Sequence, residues 1–306
     1  MEIFLARPRG FCAGVNRAIA IVNQALELHG APVYVLHEIV HNTHVIAELT
    51  QKGAVFVEQL EDIPRGAVVI FSAHGVSPVV EQRAAELGLG AIDATCPLVA
   101  MVHRRVSRLN KIGYEVLVIG HKGHPEVEGT CGHAKGVVHV VSNVAEVEKL
   151  QVADETRVGY VTQTTLSVDD TKDIFAAIHN RFPESNAPER SDICYATTNR
   201  QHAVRTLAEH TELVLVVGSK NSSNSNRLRE VAQQQGTQAY LIDQADEIEE
   251  DWLAGVGRVG VTAGASAPEH LVQEVIAYLA GQSEVQVTEM EGKEENIFFQ
   301  MPNLAV

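Results

Sequence analysis

Short apolar runs alternate with longer amphipathic stretches along the chain as far as about residue 282. EIFLA, PVYVL, AVVIFSA and AIDAT predict strands, and GVNRAIAIVNQALELHG, THVIAELTQKG and SPVVEQRAAELGL predict helices among them. A second round follows, with helix PLVAMVHRRVSRLNKIG, strands YEVLVIG, VVHVV and RVGYVTQ, and helix SVDDTKDIFAAIHNRF. In the third round helices TNRQHAVRTLAEH, SNRLREVAQQQG and PEHLVQEVIAYLAG alternate with strands ELVLVVGS, QAYLID and RVGVTAG. Such alternation predicts α/β architecture, with mainly parallel sheets covered by helices and ligand sites at the carboxyl ends of the strands.

The expected division is into three similar α/β domains over residues 14–96, 97–193 and 194–281. Residues 1–13 form an N-terminal strand and turn ahead of them. Residues 282–306 form an acidic tail expected to pack as an extra strand or hairpin. The 306 residues have room for two or three units of about 100 residues each. No apolar run is long enough to span a membrane. MEIFLARPRG lacks the basic start and cleavage site of a signal peptide, so a cytoplasmic location is expected. A formal charge of −15 argues against a nucleic-acid-binding surface, although local donors can still hold a small anion.

Four cysteines in a reducing compartment point to thiols, metal ligands or catalysts rather than disulfides. Cys12 in GFCAGVN, Cys96 in DATCPLV and Cys194 in DICYATTN each precede a predicted helix. A thiol there meets unpaired N–H groups and the positive end of the helix dipole, which favour the thiolate. Any one of them alone reads equally well as a small buried hydrophobe. Three similar settings, one per third of the chain, read together as a metal site. The paired C-x₂₋₄-C loops of structural zinc are missing, and so are ferredoxin spacings, so spacing leaves zinc and iron–sulfur both open. Cys131, in EGTCGHAKG, does not share the setting and is left out.

Several segments at strand ends carry groups able to hold an anion. EIVHNTH offers His41 and His44, SAHGVS offers His74, and IGHKGHPEVEG offers His121, His124 and Glu126. VGSKNSSNSNR offers Ser222, Ser223 and Asn224, and TAGASAPEH offers Ser266. For the serines and the asparagine, helix capping competes with ligand binding, because both use the same N–H groups. Neither GxxxxGK[ST] nor GxGxxG is present. Glu126 follows His124-Pro125 in an expected glycine-rich loop after a strongly apolar strand. Burial beside an anion would raise its pKa and let it carry a proton at neutral pH, whereas an acid in a helix's first turn is the competing explanation.

Taken together, RGFCAGVNRAI, EIVHNTHV, FSAHGVSP, DATCPLV, IGHKGHPEVEGT, VTQTTLS, DICYATTNRQ, VGSKNSSNSNRL and GVTAGASAPE resemble the IspH/LytB family of 4-hydroxy-3-methylbut-2-enyl diphosphate reductases, in order from residue 1 to about 298. The resemblance implies a trefoil-like arrangement of the three domains around a 4Fe-4S cluster held by Cys12, Cys96 and Cys194, with one iron open. It implies that His41, His74, His124, Ser222, Ser223, Asn224 and Ser266 grip the diphosphate. Thr164 and Glu126 would stand near the hydroxyl end of the substrate, with Glu126, Thr164 and His124 as catalytic groups. The implied reaction is two-electron reductive removal of an allylic hydroxyl, as the last step of the non-mevalonate isoprenoid pathway, giving isopentenyl and dimethylallyl diphosphate. The implied electron donor is a flavodoxin or ferredoxin with an NADPH-dependent reductase. A chain this acidic needs a local basic patch to receive such acidic partners.

Two other classes compete. A non-enzymatic iron–sulfur carrier or sensor would want a fourth ligand or an exposed cluster, and a zinc-stabilised binding module would be colourless.

Overall fold

The computed structural model describes residues 1–306. In chain order its first half holds β1 (Glu2–Leu5), α1 (Ala13–His29), β2 (Val33–Leu36), α2 (Thr43–Gln51), β3 (Ala54–Val57), β4 (Val68–Phe71), α3 (Pro78–Glu86), β5 (Gly90–Asp93), α4 (Pro97–Lys111), β6 (Glu115–Ile119), α5 (Pro125–Gly132) and β7 (Val138–Val141). The rest holds α6 (Val144–Lys149), β8 (Val158–Thr162), α7 (Val168–Arg181), α8 (Tyr195–His210), β9 (Leu213–Val217), α9 (Ser223–Gln234), β10 (Gln238–Ile242), α10 (Glu250–Leu253), β11 (Arg258–Ala263), α11 (Glu269–Gln282) and β12 (Gln286–Glu289). The strands form three sheets, and every pairing is parallel.

Two compact units divide the chain. The first comprises Met1–Asn16, His41–Ala47 and Tyr195–Phe298. It contains a five-stranded sheet in the order β10-β9-β11-β1-β12. Alternate residues of its strands feed two cores. Ile3, Leu5, Leu213, Leu215 and Val217 face one, and Ala6, Val214 and Val216 the other. A strand buried on both faces cannot alternate apolar with polar, which is why β9 reads LVLVV without a break. The tail supplies β12, an added edge strand in register with β1.

The second unit comprises Arg17–Val40, Glu48–Cys194 and Phe299–Val306. It holds a four-stranded sheet, β3-β2-β4-β5, and a three-stranded sheet, β7-β6-β8. In the latter, Val116, Val118 and Val161 pack with Val102, Val106 and Leu109 of α4, while Leu117, Ile119 and Val158 pack with Ile174 and Ile178 of α7. No helix is long and apolar enough to cross a membrane.

Several elements differ from the sequence expectation. Residues 54–57 form a strand in a stretch not assigned to one. Glu126 lies in the first turn of a helix, α5, and not in an open loop, because Pro125 stands at the first helical position and His124 at the N-cap. The strand of the AIDAT segment ends at Asp93, whose side chain accepts the Thr95 N–H at 2.8 Å and turns the chain toward Cys96.

Candidate active site

In the second unit, polar side chains gather after the carboxyl ends of β4, β6 and β8. His74 follows β4, His124 caps α5 after β6, and Thr164 follows β8. The His74 and His124 rings meet edge to face, with centroids 5.8 Å apart. His124 Nδ1 accepts the Glu126 N–H at 3.1 Å, which fixes the tautomer: Nδ1 is unprotonated in that contact. The Ser72 hydroxyl stands 3.3 Å from His74 Nδ1. His121 is exposed, and its backbone N–H donates to Gln163 Oε1 at 3.1 Å.

Glu126 is 3% exposed. Burial pushes its carboxyl up to about 7, with Asp192 adding to the rise and two hydrogen bonds from Thr164 opposing it. Those bonds run from the Thr164 N–H to Oε1 at 2.6 Å and from the Thr164 hydroxyl to Oε2 at 3.0 Å. The Thr164 carbonyl in turn accepts the Cys194 N–H at 3.1 Å. One residue therefore joins a carboxyl that changes charge near neutrality to the backbone of a thiol. Asp192 is itself raised to about 6 by burial, opposed by the Thr162 N–H and Arg105.

In the first unit three segments are stitched together by side chains. Ser266 donates its hydroxyl to the His41 carbonyl at 2.9 Å, Ala265 donates its N–H to Asn224 Oδ1 at 2.8 Å, and Thr43 donates its N–H to Ser219 Oγ at 3.0 Å. Ser222 is the N-cap of α9, accepting the Ser225 N–H at 3.2 Å. Its capping role is thus real, whereas Ser266 caps nothing, since α11 begins after Pro268 with no side-chain cap. Ser223 opens α9 half-buried. Asn224 is buried, and its Nδ2 has no hydrogen-bond partner. A buried amide donor left open at a helix start is the mark of a place for a ligand oxygen. His44, also half-buried, lies in the first turn of α2.

The thiols share one local geometry. Cys12 directly precedes α1, Cys96 is the N-cap of α4, and Cys194 directly precedes α8. The Cys12 and Cys96 carbonyls accept the N–H groups of Asn16 and Ala100, each at 2.9 Å. All three are half-buried and none is in a disulfide. Half-buried thiols at helix starts suit the soft, thiolate-binding iron of a cluster. No group of three or more His, Cys, Asp or Glu is drawn together as a site for one metal ion. Cys131 differs, sitting inside α5, where burial first and Glu128 second push its pKa up.

Sequence reasoning missed Asp192, the Ser219–Asp243 hydrogen bond and the stacked pair His103–His133. Thr164 came only through family resemblance, because a threonine in VTQTTLS carries no signal until its backbone is placed beside Glu126.

Parallel α/β units that bring a protonatable buried acid, amide and hydroxyl donors and helix-start thiols to their strand ends define an enzyme class able to bind a small anion and move a proton. The chain belongs to the LytB family, whose LytB protein model matches residues 3–280. It is 57% identical over 304 residues to the 4-hydroxy-3-methylbut-2-enyl diphosphate reductase of Desulfotalea psychrophila, covering 99% of this chain and 97% of that one. A solved structure described as the E-1-hydroxy-2-methyl-but-2-enyl-4-diphosphate reductase from Plasmodium falciparum matches with a TM-score of 0.94 and 39% identity, over 98% of this chain and 95% of that one. Another, described as (E)-4-hydroxy-3-methyl-but-2-enyl diphosphate reductase, the terminal enzyme of the non-mevalonate pathway, gives 0.66 and 35% over 92% and 99%.

Proposed function

We propose that this chain is a 4-hydroxy-3-methylbut-2-enyl diphosphate reductase, converting that allylic diphosphate into isopentenyl and dimethylallyl diphosphate at the end of the non-mevalonate pathway. The observation that carries the chemistry is the buried Glu126 with a pKa of about 7, held at both oxygens by Thr164. In overall balance the allylic C–O bond breaks, two electrons and two protons enter, and the oxygen leaves as water. Glu126 supplies the proton that makes hydroxide a tolerable leaving group, and Thr164 keeps the carboxyl oriented for it. His41, His74, His124, Ser222, Ser223, Asn224 and Ser266 hold the diphosphate through several hydrogen bonds, local donors that act despite a formal charge of −15 over the chain.

Cys12, Cys96 and Cys194 would hold a 4Fe-4S cluster with one iron left without a protein ligand. When bound, that group supplies single electrons and a Lewis acid for the allylic oxygen. The remaining parts of the reading are three α/β domains over residues 14–96, 97–193 and 194–281, a cytoplasmic location, and a flavodoxin or ferredoxin with its NADPH-dependent reductase as electron source. The deciding experiment is anaerobic iron and sulfide analysis with a spectroscopic titration by the hydroxylated diphosphate. Four irons per chain and a spectrum perturbed by the substrate support the reading; a colourless protein indifferent to it refutes it.

A further inference from the structure

α4 stands apart in charge. In a chain of formal charge −15 it carries Arg104, Arg105, Arg108 and Lys111 and no Asp or Glu. Its apolar stripe, Val102, Val106 and Leu109, is spent on the three-stranded sheet. The opposite side exposes Met101, Arg104, Arg108 and Lys111, whose spacings of three and four residues align them as one ridge. Arg105 is turned away from that ridge, donating to the Asn186 carbonyl at 3.0 Å and to Asn186 Oδ1 at 2.8 Å.

Several cations elsewhere are matched with carboxylates, as Arg83 is with Glu61 and Glu86, Lys122 with Glu146 and Lys172 with Asp169. Arg104, Arg108 and Lys111 take part in no such ion pair. Three unneutralised cations follow Met101, which is 54% exposed, along the ridge. An exposed apolar side chain beside a run of cations suits a protein contact, and the charge selects an acidic partner. A ridge only about 15 Å long in a chain of formal charge −15 favours a compact acidic protein over a long polyanion. The ridge also leads to the chemistry: Cys96 is the N-cap of α4, and Met101 follows it by about 7.5 Å of helix axis.

We infer that the exposed face of α4, Met101, Arg104, Arg108 and Lys111, is the docking surface for an acidic one-electron carrier protein. The inference rests on the reductive function proposed above and adds where its electrons enter. Each reduced carrier delivers one electron and leaves oxidised, so two must dock per turnover.

The test uses anaerobically purified holoenzyme, wild type and the triple variant R104E/R108E/K111E, with reduced flavodoxin and, separately, reduced methyl viologen as donors. The expected result is a KM for flavodoxin raised at least tenfold at low ionic strength, loss of the wild-type salt dependence, and viologen-driven turnover within twofold of wild type. Titration calorimetry with flavodoxin should show the same loss of binding. An unchanged flavodoxin KM overturns the inference, and so does an equal loss with both donors. Wild-type holoenzyme that fails to turn over even with viologen removes the reductive function itself, and the docking surface with it.

Discussion

Thr164 holds both oxygens of the Glu126 carboxyl, through its N–H at 2.6 Å and its hydroxyl at 3.0 Å. Both bonds favour the charged form and oppose the burial that raises the pKa to about 7. Thr164→Val removes the hydroxyl bond and keeps the shape. The carboxyl then rises further, so the alkaline limb of turnover moves to higher pH, by about one unit, the size of one charge-assisted hydrogen bond. Thr164→Ser keeps the bond and stays near wild type. The check is kcat against pH for all three proteins.

Glu126→Gln keeps the volume and cannot donate the proton. Turnover should fall about 10²–10⁴-fold with iron content unchanged. In the wild type the protonated fraction sets the rate, so kcat falls about tenfold per pH unit well above the pKa of about 7. Stability moves in step. The folded carboxyl titrates near 7 and its ordinary value is 4.5, so between them the folded state keeps a proton that the unfolded state releases. That stabilising contribution is complete below 4.5 and is lost as pH rises toward 7. Tm measured across this window should show E126Q gaining on the wild type as pH increases.

The contrast between Glu126 and Thr164 shows what a sequence can disclose. Parallel α/β architecture was legible because β9 and β6 are apolar almost without a break and the helices keep their period. The positions of Cys12, Cys96 and Cys194 ahead of helices were legible too, since strand and helix patterns change over at each of them. The helix under Glu126 was hidden because PEVEGTCG has almost no amphipathic period, so packing rather than pattern makes it a helix. Pairs made across long separations were hidden as well. Glu126 and Thr164 are 38 residues apart, and nothing in either segment names the other.

Asn224 separates a structural role from a binding role. Its Oδ1 accepts the Ala265 N–H at 2.8 Å, and its Nδ2 stays without a protein partner. Asn224→Asp keeps the acceptor and replaces the open donor by a negative charge. Affinity for inorganic diphosphate should fall about 10- to 100-fold with little change in Tm. Asn224→Ala strands the Ala265 N–H instead and should cost about 1–3 kcal/mol of stability. Calorimetry with diphosphate and thermal unfolding separate the two effects.

Cys12 and Cys131 are both half-buried thiols, and only the first precedes a helix. Cys12→Ser should lose iron, sulfide and turnover together. Cys131→Ser should keep the iron content of the wild type, since burial holds that thiol in its neutral form inside α5. Parallel anaerobic iron analysis of both variants distinguishes a ligand from a packed thiol.

The last prediction concerns what sets the distance between His74 and His124. Gly75 has φ +77°, and a Cβ there would stand 2.5 Å from His103 Cε1, so the turn after His74 closes directly onto the buried imidazole. Burial, with His133 and Arg104 adding to it, drives the His103 pKa down to about 3, so the ring packs there as a neutral group. α5 is fitted against the same turn. A Cβ on Gly129 would lie 2.8 Å from the Gly75 carbonyl oxygen, and His133 Nε2 is 3.0 Å from the Val76 carbonyl. Gly129→Ala therefore meets backbone that no rotamer change can clear, and should cost about 1–3 kcal/mol. Because His124 caps α5 and Glu126 lies in its first turn, strain at Gly129 should displace both groups relative to His74. Diphosphate affinity and kcat should both fall, about tenfold each, whereas the same substitution at the exposed Gly281, which has nothing within 4 Å of an added Cβ, should alter neither. Denaturant unfolding alongside KM and kcat for both variants tests whether the fit of α5 on the His74 turn, and not general loss of stability, sets the site.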